Sequence, residues 1–169
     1  RERIEDAPAA ISVISKKEIR RESNTNLGDY LKGTKGIDFT QSGIDSYNMT
    51  ARGFNSSFSS RLLTLTDGRM ANVPSLRLTA YNVIPVSFDD VEQIEVVLGP
   101  SSALYGPNAH SGVLNIVTSS PLRSQGTKFN IQRGYLNQAS TKPLEKNTFR
   151  IAHKFNNIGV KFSAVSLRG

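Results

Sequence analysis

The chain has no cysteine. That excludes disulfide staples, thiolate metal sites and cysteine nucleophiles, and leaves the compartment open. It also lacks any apolar run near the roughly 18 residues that a membrane-spanning helix needs, so no helical anchor is expected. Residues 1–8 are charged and polar, without the apolar core of a signal peptide; an exported protein would be seen here in mature or trimmed form. No G-x-S-x-G, P-loop or G-x-G-x-x-G occurs. The two histidines, His110 and His153, lie far apart with no second ligand at metal spacing. Asp89, Asp90, Glu92 and Glu95 form the densest acidic run. Glu92 and Glu95 are three apart on an expected strand and so face opposite ways, which spoils a general acid/base pair, and Asp89-Asp90 reads as the end of a turn. The residues point to no enzyme, no catalytic group, no metal and no cofactor.

What is present is modest in size and basic. With 169 residues there is room for one domain, or for a smaller domain with an appendage. Hydrophobic content is 37% and formal net charge +7. A basic chain can bind nucleic acid, but here the Lys and Arg are scattered, with only the short Lys16-Lys17 and Arg20-Arg21 pairs, and no RNA-binding signature accompanies them. Nucleic acid is not an expected partner.

The first part mixes short strands and helices. Residues 10–14 (Ala-Ile-Ser-Val-Ile) are β-prone; Ser15 with Glu18 three positions on predicts a capping box and a short helix. Asn26 can cap a second helix over 26–32, with Leu27, Tyr30 and Leu31 on one stripe and Gly33 as its stop. Residues 36–58 are rich in Gly, Ser, Asn and Asp around a short strand near 48–52. Residues 62–66 predict a strand that Asp67-Gly68 turns back into 69–73 as a hairpin. Residues 91–98 predict another strand, Gly99-Pro100 ends it, 101–105 make a helical turn closed by Gly106-Pro107, and 113–118 form a further strand.

The character changes at Ser119-Ser120-Pro121. From Gly126 the period is two: Phe129, Ile131 and Tyr135, then Phe149, Ile151 and Phe155, then Ile158, Val160, Phe162 and Ala164 alternate with polar residues, and Arg133 interrupts the apolar face. Asn156-Asn157 is a tight turn and 134–147 a longer loop. Ten-residue strands, apolar on one face and polar on the other, suit an outer-membrane barrel, and a half-buried soluble meander gives the same alternation.

Two blocks carry a family resemblance. The first is Asn48-Met-Thr-Ala-Arg-Gly-Phe54 followed by Arg61-Leu-Leu-Thr-Leu-Thr-Asp-Gly68. The second is Val91-Glu-Gln-Ile-Glu-Val-Val-Leu-Gly-Pro-Ser-Ser-Ala-Leu-Tyr-Gly106 followed by Gly112-Val-Leu-Asn-Ile-Val-Thr118. With Ala7-Pro-Ala-Ala-Ile-Ser-Val-Ile14, these resemble the plug domain of TonB-dependent outer-membrane receptors, over roughly residues 5–121. The elements that match the family's structural motif are Gly53, Asp67, Gly68, Gly99, Pro100, Tyr105, Gly106, Gly112 and Asn115. One departure stands out: Leu98 precedes Gly99-Pro100 where the family usually has Arg.

The resemblance implies an α+β plug over 1–121, a small mixed sheet with short helices. Residues 122–169 would be about the first three strands of an antiparallel transmembrane β-barrel, of the kind that has about 22. It implies active uptake of a scarce ligand across the outer membrane of a Gram-negative bacterium, energised by TonB through a segment upstream of Arg1. The plug would sit in the barrel lumen and the barrel would face membrane lipid. Iron–siderophore complexes are the commonest cargo, with cobalamin, other metal chelates and oligosaccharides behind. Two other classes remain open: a stand-alone plug-like periplasmic binding or signalling module, and a receptor used for protein capture or adhesion. For ligand contact the resemblance points to an apex loop at 54–60, with Phe54, Asn55, Ser57 and Phe58, and to Tyr81: rings to stack and hydroxyls or an amide to bond. Arg52 and Arg61 are expected to hold the plug in place, and the Asn156-Asn157 turn to lie on the periplasmic side.

Overall fold

The strands with the strongest apolar patterns build the centre of the first unit. The structure is a computed structural model that describes residues 10–22, 26–41, 43, 46–51, 62–71, 79, 81, 84, 86–99, 105, 109–135 and 143–168. By the density of its contacts the chain divides into two units, Arg1–Ile84 with Glu92–Thr118, and Pro85–Val91 with Ser119–Gly169. The expected boundary at 121 is close to the last of these crossings, but the early segment Pro85–Val91 groups with the later part of the chain.

In the first unit, β1 (Ala10–Ser15) runs into α1 (Lys16–Arg21). Ser15 caps that helix as its sequence predicts: its hydroxyl accepts from the Glu18 amide, and the Glu18 carboxylate accepts from the Ser15 amide at 2.7 Å. The bond between Ser15 and Glu18 holds the Glu18 carboxyl below its ordinary range. Asn26 caps α2 (Leu27–Leu31) by accepting from the Asp29 amide at 3.0 Å, and the stripe Leu27, Tyr30 and Leu31 is buried. The segment after Gly33 contains a strand that the sequence does not announce: β2 (Ile37–Gln41) pairs antiparallel with β3 (Tyr47–Ala51).

A mixed five-stranded sheet follows, in the order β1-β6-β7-β4-β5. Its members are β4 (Leu62–Thr66), β5 (Arg69–Met70), β6 (Val91–Leu98) and β7 (Gly112–Thr118). β4 and β7 are parallel, while β1–β6 and β4–β5 are antiparallel. Runs such as Leu-Leu-Thr-Leu and Val-Leu-Asn-Ile form strands here because both faces are covered. Leu62, Ile94, Val96, Leu114 and Ile116 are buried, as is the cluster of Leu63, Leu65, Val97, Ala109 and Val113 against which Ile11 packs. The hairpin at Asp67-Gly68 forms with both turn residues at positive φ, 50° and 77°, the geometry that favours this dipeptide. Its second strand is shorter than expected, stopping at Met70; residues 72 and 73 lie outside the described residues.

In the second unit, a 3-10 turn, Phe88–Asp90, precedes a three-stranded antiparallel sheet in the order β10-β9-β8. Its strands are β8 (Gly126–Gly134), β9 (Leu144–Phe155) and β10 (Ile158–Arg168). The two-residue turn Asn156-Asn157 forms as predicted, with Asn156 left-handed at φ 51° and Phe155 opposite Ile158. The loop expected over 134–147 is shorter, because β9 already begins at Leu144 and pairs Glu145 with Arg133.

The two faces of this sheet are the reverse of a soluble one. Lys146, Thr148, Arg150 and Ala152 of β9 are buried. On the other face Phe129 is 64% exposed, Phe155 61%, Ile158 68% and Phe162 60%, with Ile131, Ile151 and Val160 also exposed. Water would drive these rings and branched chains inside; a hydrocarbon surrounding accepts them on the outside, which is the barrel pattern and not the soluble meander's. Across the strands the outer face is organised in rungs. Phe155 stands opposite Ile158, Thr127, Ile151 and Phe162 share one rung, Phe129, Phe149 and Ala164 another, and Arg133, Glu145 and Arg168 the last.

Candidate functional site

The motif residues of β6, β7 and the Asp67 turn prove to be a set of mutual fastenings. Asp67 reaches from the turn to the end of β7: its carboxylate accepts from the Thr118 amide at 2.7 Å and the Thr118 hydroxyl at 2.6 Å, while its own amide donates to Ile116. Asn115 of β7 donates to Glu95 of β6 at 2.9 Å, and Gln93 donates to the other Glu95 oxygen. Gly99, at φ 131°, donates to the Ser111 carbonyl at 3.1 Å, closing the ends of the two strands. Gly112 is required by proximity, since a Cβ there would stand 2.5 Å from the Val97 carbonyl oxygen. Glu92 faces solvent and pairs with Lys16 at 2.6 Å, so Glu92 and Glu95 make no acid pair. Tyr105 has helical backbone and is 41% exposed.

Tyr81 is buried. Its ring stacks on Tyr47 with centroids 5.5 Å apart, and Tyr47 in turn meets Phe39 at 5.8 Å, with the Lys32 ammonium over the Phe39 face. The Tyr47 hydroxyl accepts from the Leu27 amide at 3.3 Å, and the Tyr81 hydroxyl lies 3.4 Å from Thr64. Burial pushes the Tyr81 phenol above its usual range, opposed by hydrogen bonds with Thr64 and Thr79. The ladder therefore ties α2, β2–β3 and β4 together through aromatic faces. The expected ligand loop, Phe54, Asn55, Ser57 and Phe58, lies outside the described residues, as do Arg52, Gly53, Arg61, Pro100 and Gly106.

The second unit holds a charged cluster that the sequence reading passed over. Asp89-Asp90 does sit in a turn, but it does not merely end one. Asp90, 6% exposed, receives the Arg150 Nε on one oxygen and the Lys161 Nζ on the other at 2.7 Å. Arg150, 1% exposed, also donates to the Ser124 carbonyl at 3.0 Å, and Lys161 to the Ser119 carbonyl at 3.3 Å. The Ser119 amide returns to the Asp90 carbonyl at 2.6 Å, and the Thr148 hydroxyl bonds Asp89. The only sequence clue was that Arg150 and Lys161 fall on the polar, inward positions of adjacent strands.

Residues 3–113 match the family model described as TonB-dependent Receptor Plug Domain. Among curated proteins, the vitamin B12 transporter BtuB of Vibrio vulnificus is 38% identical over 128 residues, covering 75% of this chain and 20% of the relative. The iron-regulated outer membrane virulence protein of Vibrio cholerae is 34% identical over 127 residues, 68% of this chain and 18% of its own length. The chain thus spans about a fifth of the relatives it matches. Among solved structures, the unliganded ferric citrate transporter FecA superposes with a TM-score of 0.76 at 23% identity, covering 97% of this chain and 26% of that one. The siderophore receptor PirA of Acinetobacter baumannii gives 0.73 at 19% identity, over 97% and 25%. A plug with a small mixed sheet and short helices, followed by strands whose apolar side faces outward, agrees with all three comparisons: the chain belongs to the TonB-dependent receptors of the Gram-negative outer membrane.

Proposed function

We propose that this chain is the plug and opening barrel strands of a transporter that imports a scarce metal chelate, an iron–siderophore complex first, using energy delivered through TonB. The observation that carries the transport reading is the outward apolar, inward polar sheet β8–β10. A stand-alone periplasmic module would have no use for a face of bare Phe and Ile side chains. The iron cargo is supported by the relatives and structural neighbours, which include an iron-regulated protein, a ferric citrate transporter and a siderophore receptor. Cobalamin is the second reading, favoured by the likeness to a vitamin B12 transporter.

Phe54, Asn55, Ser57 and Phe58 remain the proposed ligand contacts, because two rings with an amide and a hydroxyl between them suit a planar, hydrogen-bonding chelate. The buried stack of Tyr81 on Tyr47 favours a packing part for Tyr81 over direct ligand contact. The test is uptake by the full-length receptor in cells lacking their own iron and cobalamin receptors, with ferric siderophores and cyanocobalamin as labelled substrates, with and without TonB. TonB-dependent accumulation of a ferric siderophore, weakened by Phe58→Ala, is the expected result. Accumulation of cobalamin alone would select the second reading. Binding of neither, with the receptor inserted normally, would favour protein capture.

A further inference from the structure

The segment Pro85–Val91 lies within the stretch that the plug family model covers, yet it groups with Ser119–Gly169. The reason is chemical. Each oxygen of the Asp90 carboxylate takes a different cation, one from β9 and one from β10, and each cation also grips a main-chain carbonyl of residues 119–124. The Ser119–Asp90 backbone bond and the Thr148–Asp89 contact complete the fastening. The chain passes from this point into the first unit's sheet at Glu92 and comes back from it at Thr118, so both ends of the β6–β7 stretch are tied at one place.

We propose that Asp90, held between Arg150 and Lys161, anchors residues 88–91 permanently to the barrel strands, so that the plug rearranges during transport around this point without releasing it. A carboxylate shared by two cations is hard to withdraw, because taking it away leaves a buried guanidinium without its counter-charge. Arg150 already has one buried nitrogen, Nη1, with no hydrogen-bond partner, so it cannot make good the loss locally. The Asp67, Glu95 and Asn115 fastenings, by contrast, involve no paired ions.

The proposal rests on the transport reading, and the test keeps the two separate. In the full-length receptor, Asp89→Cys and Thr148→Cys are introduced together and joined by a short thiol-bridging reagent. The expected result is no loss of TonB-dependent uptake on bridging, relative to the same protein unbridged. Loss of uptake on bridging, with ligand binding intact, overturns the anchor. A receptor that takes up nothing even unbridged counts against the transport reading alone, and a second measurement then decides the anchor. Ser87, buried one turn before Asp90, is changed to Cys and its labelling by an impermeant thiol reagent is followed with and without energised TonB. Labelling should stay unchanged with Asp90 in place and rise about tenfold or more in Asp90→Asn, which leaves Arg150 buried without its counter-charge. A rise with the anchor intact overturns the proposal.

Discussion

Replacing Asp90 by Asn keeps the shape of the side chain and removes its charge, which makes it the sharpest probe of the buried cluster. Arg150 is 1% exposed and loses the only carboxylate it pairs with among the described residues; Lys161 is 28% exposed and can turn partly toward water. At an effective dielectric near 20, charges about 4 Å apart attract by about 4 kcal/mol. Breaking a buried pair by removing one partner costs about 3–5 kcal/mol by experiment elsewhere. The Lys161 share is discounted for its exposure, so the expected cost is about 3–4 kcal/mol, mostly through Arg150. Removing all three charges, with Asp90→Asn, Arg150→Met and Lys161→Met, should recover most of that, because no uncompensated charge remains. The assay is hydrogen exchange at the Ser119 amide in the full-length receptor in detergent, since that amide is bonded to the Asp90 carbonyl. At about 1.4 kcal/mol per tenfold, Asp90→Asn should speed this exchange by two to three orders of magnitude, roughly, if opening of the cluster limits it. Equal exchange in wild type and Asp90→Asn, or faster exchange in the triple variant than in the single one, would refute the reasoning.

Three further outcomes follow from other sites. Gly112→Ala should destabilise the first unit by about 1–3 kcal/mol, read from its denaturant midpoint, because the obstructing atom is the Val97 carbonyl and backbone cannot swing aside. Tyr81→Phe should flatten the alkaline limb of the stability curve. The raised phenol pKa makes a contribution that is fully present below about pH 10 and lost as pH rises through the folded value, so wild type should weaken there and the variant should not, as followed by absorbance of the ionised phenol. Phe162→Lys, on the outer face, should cost about 2–4 kcal/mol in bilayer insertion assays, whereas Val165→Lys, three residues on and facing inward at a half-exposed position, should cost far less.

How much of this was legible depended on range. β4, β6 and β7 could be read directly, because Leu-Leu-Thr-Leu, Val-Glu-Gln-Ile-Glu-Val-Val-Leu and Val-Leu-Asn-Ile-Val are short β-prone runs closed by Gly, Pro or Asp-Gly. The capping box and Asn26 cap are decided within four residues and came out as predicted. β2 was hidden, since Ile-Asp-Phe-Thr-Gln is half-buried without a clean alternation and is held in place by pairing with β3. The start of β9 was hidden for the opposite reason. Glu145 and Lys146 look like loop residues, yet they lie in a strand whose inside is polar, with Lys146 at one of its buried positions. The Asp90 cluster joins residues 60 and 71 positions apart, beyond any local pattern. The sequence clue to it was the inward placement of Arg150 and Lys161 on adjacent strands, which marks a polar interior but names no partner.

The rungs on the outer face of β8–β10 also serve as a depth gauge. From Phe155 beside the Asn156-Asn157 turn to Glu145 in the charged rung is ten residue steps along β9. At about 3.4 Å per residue and a strand tilt of about 40°, that is about 26 Å along the membrane normal. The apolar band of an outer-membrane barrel is about 25 Å tall, so the span from the turn to the charged rung matches it, with His153 and Asn147 as polar interruptions on that face of β9. Arg133, Glu145 and Arg168 then float at one waterline and the asparagine turn at the other. Sliding the wall by a single rung pair, about 5 Å, would sink guanidinium groups into hydrocarbon or lift Phe155 and Ile158 into water. Three strands are enough to set the draught at which the receptor rides in its membrane.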